Sequence, residues 1–174
     1  SYVAIKLTVA KHERNSLTDP LTALVNRAGL ESSLERWTDP QQPAAVALID
    51  IDHFKQINDQ YGHATGDKAL ATLAKVLRNN LKQNDIVCRW GGEEFVVVFE
   101  QLTLAQATDV VDQLRELLAD RTFNLDGQQL QLQFSAGVAE FTGMQGFSGA
   151  LRQADSRVYI AKRAGRNRVV SSDD

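Results

Sequence analysis

The chain has 174 residues, 43% of them hydrophobic and 24% charged, which suits one globular domain with a sizeable core. A net charge of −3 and a pI near 5.6 exclude the broad basic face that nucleic-acid binding needs. Any phosphate-rich ligand would have to meet a few well-placed lysines and arginines, or bound metal. No apolar run approaches the roughly 20 residues that span a bilayer, and no signal peptide opens the sequence, so a cytoplasmic location without membrane contact is expected.

Residues 1–16 carry Ile5, Val9 and His12 near helical spacing and read as the end of a longer linker helix; a frayed terminus is the alternative. Asp19-Pro20-Leu21-Thr22 is a turn signal, since proline cannot continue a helix. Asn26 can cap a helix running to about Trp37, with Leu30 and Leu34 turned inward. After a loop over 39–43, Ala44 to Ile49 is a nearly continuous apolar run, the pattern of a strand buried on both faces. A short helix is predicted near Phe54 to Tyr61 and, beyond Gly62 and Gly66, a longer one from about Lys68 to Leu81. Two β-type runs, Ile86 to Trp90 and Phe95 to Phe99, flank Gly91-Gly92-Glu93-Glu94 and predict a hairpin. Cys88, the single cysteine, lies in this apolar stretch and reads as a buried core thiol. An amphipathic helix follows from Ala105 to Leu118. A strand from Leu130 to Glu140 would put Leu130, Leu132, Phe134, Ala136 and Val138 on one face. The last helix, about Phe147 to Ala164, ends at Gly165, a plausible left-handed cap. Helices and strands alternate around an antiparallel hairpin, so the sheet is mixed.

Asp50-Ile51-Asp52 closes the buried strand, and period-two geometry sends both carboxylates to one side, where an open sheet forms its crevice. Hard oxygen ligands there suit magnesium; a polar pair marking the strand's exit is the plain alternative. Glu93 and Glu94 are adjacent and should point to opposite faces, so only one can readily join Asp50 around a metal. Gly91 and Gly92 lack side chains and let backbone and phosphate approach closely. An ordinary hairpin with solvated glutamates would look the same.

Gly91-Gly-Glu-Glu-Phe95 resembles the signature of the GGDEF family, the diguanylate cyclases, in its Glu variant. The resemblance runs from Leu17 to Val170 through further motifs in the family's order. Leu17-Thr-Asp-Pro-Leu-Thr-Ala-Leu-Val-Asn-Arg27 resembles the opening motif, with Ala23 and Val25 where Gly and Pro are commoner. Asp50-Ile-Asp-His-Phe-Lys-Gln-Ile-Asn-Asp-Gln-Tyr-Gly-His63 with Gly66-Asp67 is similar to the first strand and helix. Ala154-Asp155, Tyr159-Ile-Ala-Lys162 and Gly165-Arg-Asn-Arg168 match the C-terminal motif.

The resemblance implies one α/β (α+β) domain over 17–174, with a mixed, mostly antiparallel sheet flanked by helices. The architecture would resemble nucleotidyl cyclases and the polymerase palm, with the signature on a β-hairpin. It implies the condensation of two GTP into cyclic di-GMP by a homodimer, with an upstream sensory domain in a longer parent protein. Asp50, the Ile51 carbonyl and Glu93 would hold two Mg2+ per site, with Mn2+ a substitute; Asp52 would be mainly structural. Asn58 and Asp67 would read guanine, whose N1–H and C2 amine a carboxylate can accept from; adenine presents an acceptor at N1 and no amine at C2. Asp67 can equally serve as the N-cap before Lys68. Lys55, Lys162 and Arg166, with the backbone near Phe54, would meet the phosphates; a solvated basic helix end is the alternative for Lys162 and Arg166. His63 would be a structural or ribose contact. Glu93, helped by Glu94, would assist deprotonation and Lys55 would stabilise the transferring phosphate. Where many members carry Arg-x-x-Asp as a product-binding inhibitory site, this chain reads Lys82-Gln83-Asn84-Asp85, and lysine lacks the planar fork. Competing readings are a catalytically silent module that senses GTP or cyclic di-GMP, a different nucleotidyl cyclase, and a polymerase palm. The last is disfavoured by the short chain and acidic balance.

Overall fold

A computed structural model describes residues 16–37 and 41–174, so the N-terminal helix expected over 1–16 lies outside the described residues except at Ser16. The described elements run α1 (Arg27–Glu35), β1 (Pro43–Ile51), α2 (Phe54–Tyr61), α3 (His63–Asn80), β2 (Ile86–Arg89), β3 (Glu94–Glu100) and α4 (Leu104–Ala119). They continue with β4 (Phe123–Leu125), β5 (Gln128–Leu130), β6 (Phe134–Thr142), α5 (Phe147–Arg163) and β7 (Arg168–Val170). The main sheet has the order β2-β3-β1-β6-β7; only β6 and β7 pair in parallel. The mixed, mostly antiparallel sheet read from the sequence is the sheet observed.

β1 lies at the centre, and both of its faces are covered. Ala45, Ala47, Ile49 and Ile51 join the cluster that includes Leu70, Leu73 and Leu77 of α3 and Val111, Leu114 and Leu118 of α4. Ala44, Val46 and Leu48 join the opposite cluster, with Leu30 and Leu34 of α1 and Ala150, Ala154 and Val158 of α5. A strand between two helical layers has no solvent face, which is why its sequence does not alternate. Gly137 lets α5 come close. A Cβ there would lie 2.0 Å from the Ala154 carbonyl oxygen. Cys88 is fully buried, and burial pushes its thiol up to about 12, so it is an inert core group.

Two expectations need correction. α3 starts at His63, not Lys68, because one residue, Gly62 at φ +94°, makes the whole turn between α2 and α3. Gly66 lies inside the helix as a packing residue: a Cβ there would meet the Asn58 Oδ1 at 1.8 Å. Asp67 therefore stands in the second turn of α3 and cannot be its N-cap. The strand expected over 130–140 is also split. Asp126 and Gly127, with φ of 55° and 89°, turn a separate hairpin of β4 and β5, and β6 begins only at Phe134. The predicted face survives the break, since Leu130, Leu132, Phe134, Ala136 and Val138 all pack into the same cluster.

Ala23 sits at φ 61° in the turn that Asp19 closes. A left-handed alanine costs about 1–2 kcal/mol, and glycine returns roughly 0.4–1 kcal/mol of that as unfolded-chain entropy. Ala23→Gly is expected to stabilise the domain by about 0.5–1 kcal/mol in urea unfolding. A destabilised variant would show that the turn is not strained.

Candidate active site

Asp50, the last residue but one of β1, lies opposite Glu94 of β3 and Ser135 of β6. It is 6% exposed; its Oδ2 accepts from the Lys162 ammonium on α5, and its Oδ1 is buried without a partner among the described residues. The chain then turns through His53 in the left-handed region, φ 59°, and α2 begins at Phe54. Phe54, Lys55 and Asn58 line a cavity of about 370 Å³ together with Gly92, Glu93 and Glu94. An adjoining space of about 260 Å³ brings Asp50, Ile51, Lys55 and Glu93 together with Lys162 and Arg166. Asn58 Oδ1 is buried against Gly66 and has no hydrogen-bond partner among the described residues. His63 and Asp67 are exposed on the first turns of α3, outside the linings of these cavities.

Glu93 and Glu94 line one cavity together and do not part to opposite faces, because only Glu94 belongs to β3 and strand alternation does not govern Glu93. Glu93 stands in the turn and borders the Lys55 side of Asp50; Glu94 lies in the ladder and also borders the α5 side. Gly91 makes room for Glu94, since a Cβ at Gly91 would lie 2.7 Å from its Oε1. Gly92 faces open space. Arg166 is not on the helical face shared with Lys162. It lies beyond the helix end, where Gly165, Arg166 and Asn167 run through positive φ of 121°, 66° and 48°.

Burial raises the Asp50 carboxyl despite Lys162, and burial together with the Asp50 charge raises both Glu93 and Glu94. A cluster of carboxylates held above the ordinary range is short of positive charge, and a cation would relieve it. Lys162 already takes one cation's place on Asp50. No three acidic, histidine or cysteine side chains form a ready-made cage among the described residues. The donor set at hand, two carboxylates and the Ile51 carbonyl, suits an ion such as magnesium, which keeps waters and phosphate oxygens as its other ligands.

Two supporting networks escaped the sequence reading. In the first, Asp19 accepts from the Thr22 amide at 2.9 Å and the Thr22 hydroxyl at 2.7 Å, and pairs with Arg89 at 3.2 Å. Arg89 also donates to the Gly92 carbonyl at 2.9 Å, so the opening turn braces the hairpin that carries the glutamates. Arg27 donates to the Trp90 carbonyl at 2.8 Å and lies 4.2 Å over its ring. In the second, Asp52, 5% exposed, accepts from Ser135 Oγ at 2.6 Å and the Asn167 amide at 2.9 Å, while Arg115 donates to Asn167 Oδ1 at 3.1 Å. That network holds the left-handed turn carrying Arg166. Asp19, Arg89 and Asn167 lay within or beside the quoted motifs, but no sequence signal joins residues 70 or 115 positions apart.

The family model "Diguanylate cyclase, GGDEF domain" matches residues 16–168. The chain is 41% identical over 160 residues to diguanylate cyclase DgcP of Pseudomonas aeruginosa, covering 90% of this chain and 24% of that protein. It is 39% identical over 162 residues to response regulator PleD of Caulobacter vibrioides, covering 89% and 36%. The GGDEF domain of DgcB from Caulobacter crescentus, solved in complex with c-di-GMP, superposes with a TM-score of 0.84 at 29% identity, covering 92% of this chain and 98% of that one. The chain belongs to the GGDEF domain family. It spans about a quarter to a third of the length of these two curated relatives.

Burial alone would raise the Asp19 carboxyl, but the Thr22 hydrogen bonds and the Arg89 charge outweigh it and hold it below the ordinary value. A lowered folded value adds stability that is present above about pH 4, the unfolded range, and lost as pH falls through the folded value. Asp19→Asn is expected to cost about 1 kcal/mol at pH 7, a difference that shrinks on acidification. A pH-independent difference would contradict the brace.

Proposed function

We propose that this domain condenses two GTP into cyclic di-GMP with release of pyrophosphate, as a metal-dependent homodimer in the cytoplasm. The observation that carries the reading is the meeting, at one strand end, of Asp50, Glu93 and Glu94 with Lys55, Lys162 and Arg166. Membership of the GGDEF family and the c-di-GMP complex of the DgcB domain support the product class. That no helix among the described residues is long and apolar enough to cross a membrane is consistent with the location. An upstream sensory region in a longer parent protein accords with the share of its relatives that the chain spans.

Asp50, the Ile51 carbonyl and Glu93 would hold two Mg2+, or Mn2+. When bound, the ions neutralise triphosphate charge and lower the pKa of the attacking hydroxyl. Lys55, Arg166 and Lys162 bind the phosphates, Lys162 leaving Asp50 to do so, and Lys55 stabilises the charge that grows on the transferring group. Asn58 and Asp67 read the guanine edge. His63 is a structural or ribose contact. The 3′-oxygen of one GTP forms a bond to the α-phosphorus of the other as the bond to the bridging oxygen breaks. Pyrophosphate leaves with the electron pair, the proton passes to Glu93 with help from Glu94, and the step repeats in reverse. Two facing copies are required because each has one nucleotide site.

Product inhibition at Lys82 and Asp85 is weak or absent in this reading. Asp85 is 8% exposed, and its Oδ2 accepts from the Lys82 amide at 2.9 Å, so the carboxylate serves its own turn while Lys82 stands in solvent.

Concentrated domain with GTP and Mg2+ is expected to yield cyclic di-GMP at an initial rate that added product leaves unchanged. Asp50→Asn, with its circular dichroism retained, should lower kcat by about a thousandfold. Saturable GTP binding without product, even in forced dimers, would instead establish a silent sensing module.

A further inference from the structure

Arg115 stands on α4 and borders neither of the spaces beside Asp50 nor the cavity at Asn58. Its guanidinium is nonetheless fixed on three sides. Nε donates to Asp112 Oδ1 at 2.8 Å, Nη2 lies 3.6 Å from Glu116 Oε1, and Nη1 donates to Asn167 Oδ1 at 3.1 Å. Two carboxylates of its own helix thus orient the planar fork and aim it at one acceptor outside that helix. Among the described residues, Asn167 is its one hydrogen-bond partner beyond α4.

That acceptor belongs to an unusual stretch of backbone. Gly165, Arg166 and Asn167 follow one another in the left-handed region, and two of the three carry a Cβ. Such residues persist only where their surroundings fix them. The Arg166 amide donates to the Ala161 carbonyl of α5 at 3.0 Å, and the Arg166 carbonyl accepts from Arg168 Nε at 3.0 Å. The Asn167 amide donates to Asp52 at 2.9 Å, and its side chain accepts from Arg115. The turn follows α5, which packs on one face of the sheet; Arg115 reaches it from α4, which packs on the other. Arg166 is therefore flanked by a residue tied to both helical layers, and its own side chain borders the space shared with Lys55 and Glu93.

We propose that Arg115 is a positioning residue for the nucleotide: by holding Asn167 it keeps the Arg166 guanidinium beside Lys55, and so sets the affinity for the triphosphate from a helix that does not border the site. This rests on the phosphate contact proposed above for Arg166. Asparagine suits position 167 because it tolerates the left-handed region and also offers an acceptor; glycine would supply only the first.

Calorimetry with a non-hydrolysable GTP analogue and Mg2+ tests this on Arg115→Ala, Asn167→Gly, Arg166→Ala and the Arg115→Ala/Arg166→Ala double variant. Asn167→Gly keeps the backbone conformation and removes the acceptor, so the contact is tested even if Arg115→Ala fails to fold. Arg115→Ala and Asn167→Gly are each expected to raise Kd about fivefold, and Arg115→Ala to add less than about twofold once Arg166 is already alanine. Arg115→Lys, which keeps the charge without the fork, should behave like Arg115→Ala. A residue that merely supports the fold would weaken binding by the same factor whether or not Arg166 is present. Equal factors in the two backgrounds, or an unchanged Kd in Asn167→Gly, would therefore overturn the proposal. A wild type that binds no analogue, or an Arg166→Ala that binds it unchanged, would overturn the phosphate contact itself and this proposal with it.

Discussion

A carboxylate at the end of a strand buried on both faces sets the terms for everything around it. Asp50 cannot be hydrated as an exposed aspartate is, and removing such a group from water costs several kcal/mol that a partner must offset. Lys162 offsets part of it. Its side chain is about one-third exposed, so the pair contributes at most about 1 kcal/mol to stability. The pairing is therefore better understood as charge compensation at a site than as a fold-holding bridge. The Asp50 carboxyl stays raised even so, and burial, with the Asp50 charge beside it, raises Glu93 and Glu94.

The elements nearby answer to that constraint. α2 begins two residues beyond β1 and brings Lys55, while the left-handed turn after α5 brings Arg166. Asp52 holds the turn by accepting a buried hydrogen bond from Ser135 and a partly buried one from the Asn167 amide, each worth about 1 kcal/mol or more where a charged acceptor is involved. The hairpin is braced from outside the sheet by Asp19 and Arg89. Two aspartates two residues apart thus differ in their ties: both border the space shared with Lys55 and Arg166, and Asp52 also holds the turn that brings Arg166 there.

Much of this was legible in the sequence because it depends on local patterns. The apolar run from Ala44 to Ile49 announced a strand with no solvent face, and Gly91-Gly92 announced the hairpin. The start of α3 was misplaced because a glycine can break a helix or let one pack, and residue order does not distinguish Gly62 from Gly66. Only the approach of Asn58 separates the two roles. β7 and the braces Asp19–Arg89 and Arg115–Asn167 were invisible for a different reason: they join segments distant in sequence, and no periodicity records such a contact. Lys162 was expected at phosphate and stands on Asp50, a placement that only the folded arrangement of α5 over β1 can create.

Binding of Mn2+ to the nucleotide-loaded domain tests this division of roles most directly, with Asp50→Asn and Asp52→Asn compared by electron paramagnetic resonance. Asp50→Asn should weaken Mn2+ binding about tenfold or more, and Asp52→Asn by less than about threefold. Equal losses from the two, or the greater loss from Asp52→Asn, would contradict the assignment of Asp50 as the ligand and Asp52 as the support.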